Sequence, residues 1–139
     1  MQRLVQGLRV KYNIHNRAFT RRDFYKICRG ENIEIIRPRK LARFGLRLAK
    51  FKGIAGVCIA SSRISKKLIY LRCLFEKESP FDLFTAYHEL GHAVCGHRGA
   101  SYLTNDQYLN SIEEREANLF SVICTSNLED QRKGARHER

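Results

Sequence analysis

The chain has 139 residues, of which 43% are hydrophobic and 29% are charged. This composition is typical of a soluble globular protein, and the length suits a single domain (residues 1–139) whose core needs no disulfide bonds. No apolar run approaches the length of a membrane span, and the N-terminal residues lack the apolar stretch of an export signal, so we expect a cytoplasmic protein. The five cysteines are odd in number and widely spaced, which indicates reduced thiols.

The net charge of +12 is concentrated in the N-terminal half of the chain. Residues 1–72 contain 19 Lys and Arg against 3 Asp and Glu, whereas residues 73–139 contain 7 against 11. Such polarity can attract an acidic protein, nucleic acid, or a protein that is already bound to nucleic acid. Aromatic residues lie between the basic ones, as in a base-stacking surface, but a hydrophobic core with a solvated rim gives the same pattern more often.

The N-terminal region predicts two helices and a strand. A short apolar stripe favours a first helix, and Thr20 can cap a second helix that ends at Gly30. The run 33–36 predicts a strand that ends before Pro38. Apolar and basic residues then form opposite stripes at helical steps over 39–51, which favours a basic helix there.

The rest of the chain predicts a hairpin, a central helix and a final helix. The runs 53–60 and 67–73 are rich in β-forming residues and are separated by a polar turn. After the central helix, a polar loop is expected over about 98–107 and a final helix over about 108–125, with a frayed tail over 129–139. The bulky apolar face of the final helix comprises Leu109, Ile112, Leu119, Phe120 and Ile123.

The central helix is indicated by its flanking residues. Ser79 can accept hydrogen bonds from the first free backbone N–H groups, and Pro80 suits the first helical position. Asp82 complements the positive end of the helix dipole. Apolar residues then recur at steps of three and four up to Gly96 or Gly99.

This helix carries an H-E-x-x-H motif at 88–92. Because an α-helix advances about 100° per residue, His88 and His92 lie about 40° apart and can bind one metal ion. Glu89 is rotated by about 100° from His88, so it cannot join them at the metal but can reach a water beside it. Two imidazoles with a neighbouring carboxylate are the layout of a hydrolytic zinc site.

A catalytic zinc usually has three protein ligands, so the two histidines need a partner. His97 is nine residues from His88 and would fall on the opposite side of a continuing helix. The longer metalloprotease pattern, with Gly and a third His at fixed offsets, has Cys95 and Arg98 at those positions instead. A carboxylate from the final helix is the better candidate, and this helix offers Glu113, Glu114 and Glu116.

These three carboxylates point in different directions from the final helix. Glu114 lies on a face of small residues, which would let the helix approach the central helix closely at Gly91. Asn118, one turn later, could then hydrogen-bond a metal-bound histidine. Glu113 and Glu116 lie on the bulky face, which amphipathicity alone would select. A metal between two helices requires close approach, and this favours Glu114.

Two motifs follow one another after the β-rich runs of this chain. They are F-T-A-Y-H-E-L-G-H-A-V at 84–94 and E-R-E-A-N-L-F at 114–120. In this order and at this separation they resemble the ImmA/IrrE family of metallo-endopeptidases, over about residues 20–125. The resemblance implies an α+β domain in which a small twisted sheet of about three strands packs on helices, with a thermolysin-like metal helix and a third ligand on the C-terminal helix.

The resemblance also implies roles for individual residues. His88, His92 and Glu114 would bind zinc, Glu89 would be the general base, and Asn118 would support a ligand. Manganese or iron could occupy a site of the same composition. Members of the family typically cleave a helix-turn-helix repressor of phage, mobile-element or stress-response genes. This chain shows no helix-turn-helix motif, so such a DNA-binding partner would be a separate polypeptide.

Two other functions compete with this one. The chain could be a catalytically inactive, zinc-containing module that binds a regulator without cutting it. It could also be a basic, nucleic-acid-associated protein with a structural metal, although structural zinc normally has four protein ligands and the sequence offers three. For an enzyme, we expect the substrate to add as a strand along 67–73, with Tyr87, Tyr102 or Tyr108 available to stabilise the oxyanion.

Overall fold

The structure is a computed structural model that describes five stretches of the chain. They are residues 1–37, 55–59, 66–74, 80–97 and 107–126, and the side chains of 107–110 are outside the description. Within these stretches the chain has the predicted α+β class. The elements are α1 (Gln2–Tyr12), α2 (Arg21–Gly30), β1 (Ile33–Ile35), β2 (Gly56–Ile59), β3 (Lys67–Leu71), α3 (Leu83–Val94) and α4 (Gln107–Thr125). The helix predicted over 39–51 and the predicted tail lie outside the described residues, as does nearly all of the predicted polar loop.

The predicted cap of α2 is present and is tied to the central helix. Thr20 and Asp23 form a capping box, in which the Thr20 side chain accepts from the Asp23 backbone N–H and the Asp23 carboxylate accepts from the Thr20 N–H. Arg17 adds an ion pair to the same carboxylate at 2.5 Å. Because the Tyr87 hydroxyl donates to the Thr20 carbonyl at 2.6 Å, this corner also holds α3 in place.

The sheet has the order β1-β3-β2. β2 and β3 are antiparallel, with Cys58 opposite Ile69, which confirms the predicted pairing of these two runs. β1 runs parallel to β3, with Ile35 also opposite Ile69. The prediction that 67–73 offers a free edge is wrong, because β3 is the middle strand and its backbone groups are used on both sides. The strand predicted at 33–36 is present as β1, but its pairing with β3 was not predicted, because parallel pairing joins segments that are distant in sequence.

The central helix begins later than predicted. Asp82 is the N-cap, and its side chain accepts from the Thr85 backbone N–H at 3.1 Å and from the Thr85 hydroxyl at 2.6 Å. Pro80 precedes the helix and is therefore not its first residue, contrary to the prediction. α3 ends with Cys95 as its C-cap, and Gly96 has a φ of 74° that turns the chain back. With this later start, the motif at 88–92 spans the second and third turns of the helix.

The face of α4 that packs into the core differs from the predicted bulky face. Phe120 is buried as predicted, but Leu119 is 49% exposed. The small residues Ala117, Ser121 and Cys124 are fully buried instead. Their size allows a close approach to α3, where a Cβ atom added to Gly91 would lie 3.2 Å from the Cα atom of Ala117. This contact confirms the close approach that favoured Glu114 over its neighbours.

A cluster of buried aromatic rings packs against α3. The rings of Phe19, Phe24 and Tyr87 are fully buried, and Tyr87 contacts each phenylalanine edge to face with centroids 5.7 Å apart. The five cysteines are free thiols, as predicted. None of the helices in the described stretches combines the length and apolarity that a membrane crossing requires.

The buried Asp23 carboxylate of the capping box predicts a pH-dependent stability. Burial raises the pKa of Asp23, but hydrogen bonds from Arg17 and Thr20 outweigh it and lower the pKa from 3.8 to about 2. The carboxylate therefore stabilises the fold at neutral pH by about 2 kcal/mol, a contribution that is lost as the pH falls from about 4 to about 2. Urea denaturation of Asp23→Asn should show this deficit at pH 7 and a shrinking one below pH 4.

The matched control is Glu31→Gln, which removes a solvent-exposed ion pair with Lys11. An exposed pair of this kind contributes less than about 1 kcal/mol, so the variant should differ little from wild type at any pH. A deficit for Asp23→Asn that does not change between pH 7 and pH 2 would contradict the prediction.

Two glycines in helices should respond in opposite ways to alanine. No atom lies within 4 Å of a Cβ added at Gly7 in α1, so Gly7→Ala should stabilise the protein by about 1 kcal/mol. At Gly91 the added atom would lie 3.0 Å from the buried Phe120 ring as well as close to the Ala117 backbone. Gly91→Ala should therefore lose about 1 kcal/mol or more, because overpacking exceeds the gain in helix propensity. Thermal denaturation of both variants tests this, and equal shifts in Tm would refute it.

Candidate metal centre

The central helix brings its two histidines to one point. His88 and His92 are one turn apart on α3, and their Nε2 atoms are separated by 3.2 Å. His92 is buried, and His88 is only partly accessible. The two rings therefore present the same nitrogen, Nε2, to one point.

The third predicted residue reaches them from α4. Glu114 places Oε2 3.0 Å from His88 Nε2, and Oε1 3.0 Å from His92 Nε2. The structure thus brings together the three residues favoured from the sequence, and we call them the candidate metal centre. The alternative Glu116 points instead to His97, with its Oε2 atom 2.9 Å from the His97 Nε2 atom.

The spacing of these atoms suits a small divalent cation. Bonds of about 2.0–2.1 Å in a tetrahedral site place neighbouring ligand atoms about 3.3 Å apart. The nitrogen and oxygen atoms of the candidate metal centre are 3.0–3.2 Å apart, so an ion requires them to separate by only a few tenths of an ångström. Two imidazoles and one carboxylate are also ligands that zinc accepts, and they leave a fourth position for water.

The charges at the candidate metal centre depend on one another. Hydrogen bonds from His88 and His92 hold the pKa of Glu114 well below its usual range. Burial lowers the pKa of His88, but the hydrogen bond to Glu114 and the carboxylates of Glu89 and Glu114 raise it overall. Glu114 is thus held as the anion that a cation site needs.

Glu89 lies behind the three ligands and against the sheet. It is 6% exposed, and its Oε1 atom is 4.0 Å from His88 Nε2, farther than the carboxylate of Glu114. Its oxygen is close enough to be grouped with the two histidines as a possible metal ligand. We place it outside the ligand set because Glu114 contacts both ring nitrogens at 3.0 Å.

The environment of Glu89 suits a proton acceptor. Burial raises the pKa of its carboxyl group, and the nearby His88 and His92 oppose this effect. The backbone N–H of Cys58 in β2 also donates to it. β2 can lie this close because residue 56 is glycine, where a Cβ atom would be 3.1 Å from the Cγ atom of Glu89. A carboxylate of raised pKa beside a polarised water is what general-base catalysis requires.

Each histidine is held by a second partner through its other ring nitrogen. The Nδ1 atom of His88 is 2.8 Å from the Oδ1 atom of Asn118, as predicted. The Nδ1 atom of His92 is 2.8 Å from the Nδ1 atom of His97. Such partners orient a ligand and select its tautomer.

His97 is the functional residue that sequence reasoning missed. The argument against it assumed a continuous helix and correctly kept it away from the ring nitrogens that face Glu114. However, Gly96 turns the chain, and the backbone N–H of His97 donates to the His92 carbonyl at 3.0 Å. A glycine four residues after a metal-ligating histidine is a recognisable helix end, and it could have signalled that the following residue folds back.

The hydrogen bonds form a consistent chain. A metal on Nε2 leaves the proton of a neutral imidazole on Nδ1. His88 then donates to Asn118, and His92 donates to the unprotonated Nδ1 of His97. His97 consequently carries its proton on Nε2 and donates it to Glu116 at 2.9 Å. With a cation bound in place of the two Nε2 protons, this order would direct the Nε2 lone pairs of His88 and His92 at the cation.

Of the three predicted oxyanion donors, Tyr87 alone lies fully within the described residues. Tyr87 is fully buried and its hydroxyl is engaged with Thr20, so this candidate is wrong. Tyr102 and the side chain of Tyr108 lie outside the described residues.

A separate groove of about 720 Å³ lies beside β1. Its lining includes Arg22, Arg29 and Lys66, but none of the residues of the candidate metal centre. The groove is therefore separate from the histidine cluster.

Comparison of the chain with protein-family models, with curated proteins and with solved structures gave no match. The resemblance to the ImmA/IrrE family therefore remains a prediction from two motifs. The functional argument depends on the geometry of the candidate metal centre itself.

Removing the outer partners should weaken metal binding without removing a ligand. Asn118→Ala and His97→Ala should each lower zinc affinity by about 10- to 100-fold, because the orienting hydrogen bond is lost. Competition with a chromophoric chelator measures the affinity. The control is His15→Ala, which removes an exposed histidine that hydrogen-bonds Asn13 and is not part of the candidate metal centre. Unchanged affinity in both test variants would show that these contacts do not support the centre.

Proposed function

We propose that the protein is a zinc-dependent endopeptidase. The observation that carries this proposal is the convergence of His88, His92 and Glu114 within 3.2 Å, with the buried carboxylate of Glu89 beside them. A purely structural zinc site normally has four protein ligands, whereas three converge here within the described part of the chain. A site with an open position and an adjacent base of raised pKa is better suited to hydrolysis.

Zinc, held by His88, His92 and Glu114, would polarise a water molecule and the scissile carbonyl. Glu89 would accept a proton from the attacking water and would return it to the leaving amine as the C–N bond breaks. Asn118 and the pair His97–Glu116 keep the two imidazoles in the tautomer that presents Nε2. Manganese or iron could bind the same ligand set.

The sheet suggests where a peptide substrate would lie. β3 is paired on both sides and cannot accept another strand. β2 lies at one edge of the three-stranded sheet, and its residue Cys58 contacts Glu89. An extended peptide added along β2 would bring its backbone past the base. We therefore move the proposed substrate edge from β3 to β2.

The identity of the substrate is the part of the proposal that rests on the family resemblance. A helix-turn-helix repressor of a phage, mobile element or stress response is the proposed partner, supplied as a separate polypeptide. The excess of positive charge in residues 1–72 suits a partner that is bound to nucleic acid. Cleavage of such a repressor would make the protein a regulator of transcription.

Substitution at Glu89 tests whether the protein is an enzyme or an inactive binding module. Zinc-loaded Glu89→Gln should retain one equivalent of zinc but lose about 10²- to 10⁴-fold in cleavage, because only the proton acceptor is removed. His92→Ala should lose both zinc and cleavage. Labelled casein and a proteome-derived peptide library serve as general substrates, with new N-termini detected by mass spectrometry.

The matched control is Glu31→Gln, which alters a carboxylate that pairs with Lys11. It should retain both zinc and cleavage. Equal cleavage by wild type and Glu89→Gln would end the proposed mechanism. Zinc-loaded wild type that binds a repressor but creates no new termini in any of these substrates would favour the inactive module.

A further inference from the structure

A second group of ligand side chains lies behind the candidate metal centre. The ligand atoms of Cys95, His97 and Glu116 all lie within 4.8 Å of one another. His97 is buried, Cys95 is half-buried, and Glu116 is on the accessible side of α4. The turn at Gly96 creates the group, because it folds His97 back toward the helix that carries Glu116.

These side chains offer sulfur, nitrogen and oxygen, a set of ligands that zinc accepts. The Nε2 atom of His97 faces Glu116 at 2.9 Å, while its Nδ1 atom is occupied by His92. A cation could take the place of the proton between His97 and Glu116 after a small separation of the two side chains. Cys95 would then complete three ligands, with water in the remaining position.

We propose that Cys95, His97 and Glu116 form a second, regulatory site for a thiophilic divalent cation such as zinc. Its occupation opposes metal binding at the candidate metal centre. The regulatory part of this inference rests on the proposed function, whereas the existence of the second site does not. The two sites share one hydrogen bond, between His92 and His97, and this bond couples them.

The coupling follows from the protons on the two rings. A neutral imidazole carries one N–H, so a metal on Nε2 places the proton on Nδ1. With both sites filled, His92 and His97 would each carry a proton on Nδ1, and these atoms are only 2.8 Å apart. Two donors would face one another without an acceptor. Either one ring loses a further proton or the contact opens, and both changes cost free energy.

The second site should fill after the first. Burial and the neighbouring Glu116 raise the pKa of the Cys95 thiol, so a cation must displace a proton to bind sulfur. Binding also displaces the proton from His97 Nε2. Because coupling between two sites is reciprocal, a filled second site weakens the first by the same factor. A cation in excess would thus act as an inhibitor of the proposed peptidase.

Cobalt titration of the metal-free full chain, kept reduced, tests the site. The first equivalent should give visible bands without thiolate-to-cobalt charge transfer. A second equivalent should add this charge-transfer absorption in the near ultraviolet. Cys95→Ser should lose the added absorption and keep the first bands, whereas Cys73→Ser, which changes another half-buried thiol, should keep both.

Three outcomes would overturn the second site. They are the absence of charge transfer at every cobalt concentration, its persistence in Cys95→Ser, and its appearance with the first equivalent. The last outcome would make Cys95 a ligand of the first site. None of these readouts uses peptide hydrolysis, so failure of the proposed function and failure of this inference are distinguishable.

The antagonism is tested by removing the first site. His88→Ala takes away a ligand that does not contact His97, and Glu114→Gln provides an independent variant if the first folds poorly. Cobalt should bind the thiolate site about 5- to 100-fold more tightly in these variants than in wild type with the first site filled. Equal affinities would refute the coupling. Circular dichroism confirms that the variants are folded.

Discussion

The close approach of α3 and α4 is the contact on which the candidate site depends. The ligands come from two helices, and neither helix alone can enclose a cation. Gly91 has no side chain in the middle of α3, and Ala117 and Ser121 have small side chains on the facing surface of α4. A bulkier residue at Gly91 would move Glu114 away from the two imidazoles. Glycine at position 91 lowers the helix propensity of α3, but it allows the close packing that the site requires.

The second requirement is control of the imidazole protons. Both Nε2 atoms must offer lone pairs, and this happens only when the Nδ1 atoms are engaged as donors. Asn118 faces the His88 ring with its amide oxygen, which can only accept a hydrogen bond. The Nδ1 atom of His97 can either accept or donate. Which of the two it does depends on whether the proton of the ring is on Nε2. The hydrogen bond of His88 is therefore fixed in direction, whereas that of His92 depends on what Glu116 and Cys95 do at His97.

Much of the site was predictable because it is local. Spacing on one helix determines that His88 and His92 share a face and that Glu89 does not. The small-residue face of α4 also identified Glu114 and Asn118, because a metal between helices requires close contact.

The sequence by itself determined the helical spacing of the motif, the Thr20 cap and the pairing of β2 with β3, because each depends on neighbouring residues or a short connection. Only the tertiary structure decided that β3 is central, because parallel pairing with β1 leaves no local signal. The fold likewise decided that α4 buries its small face and that His97 meets His92. Both outcomes arise from packing and chain reversal at Gly96, which periodicity along a single helix cannot encode.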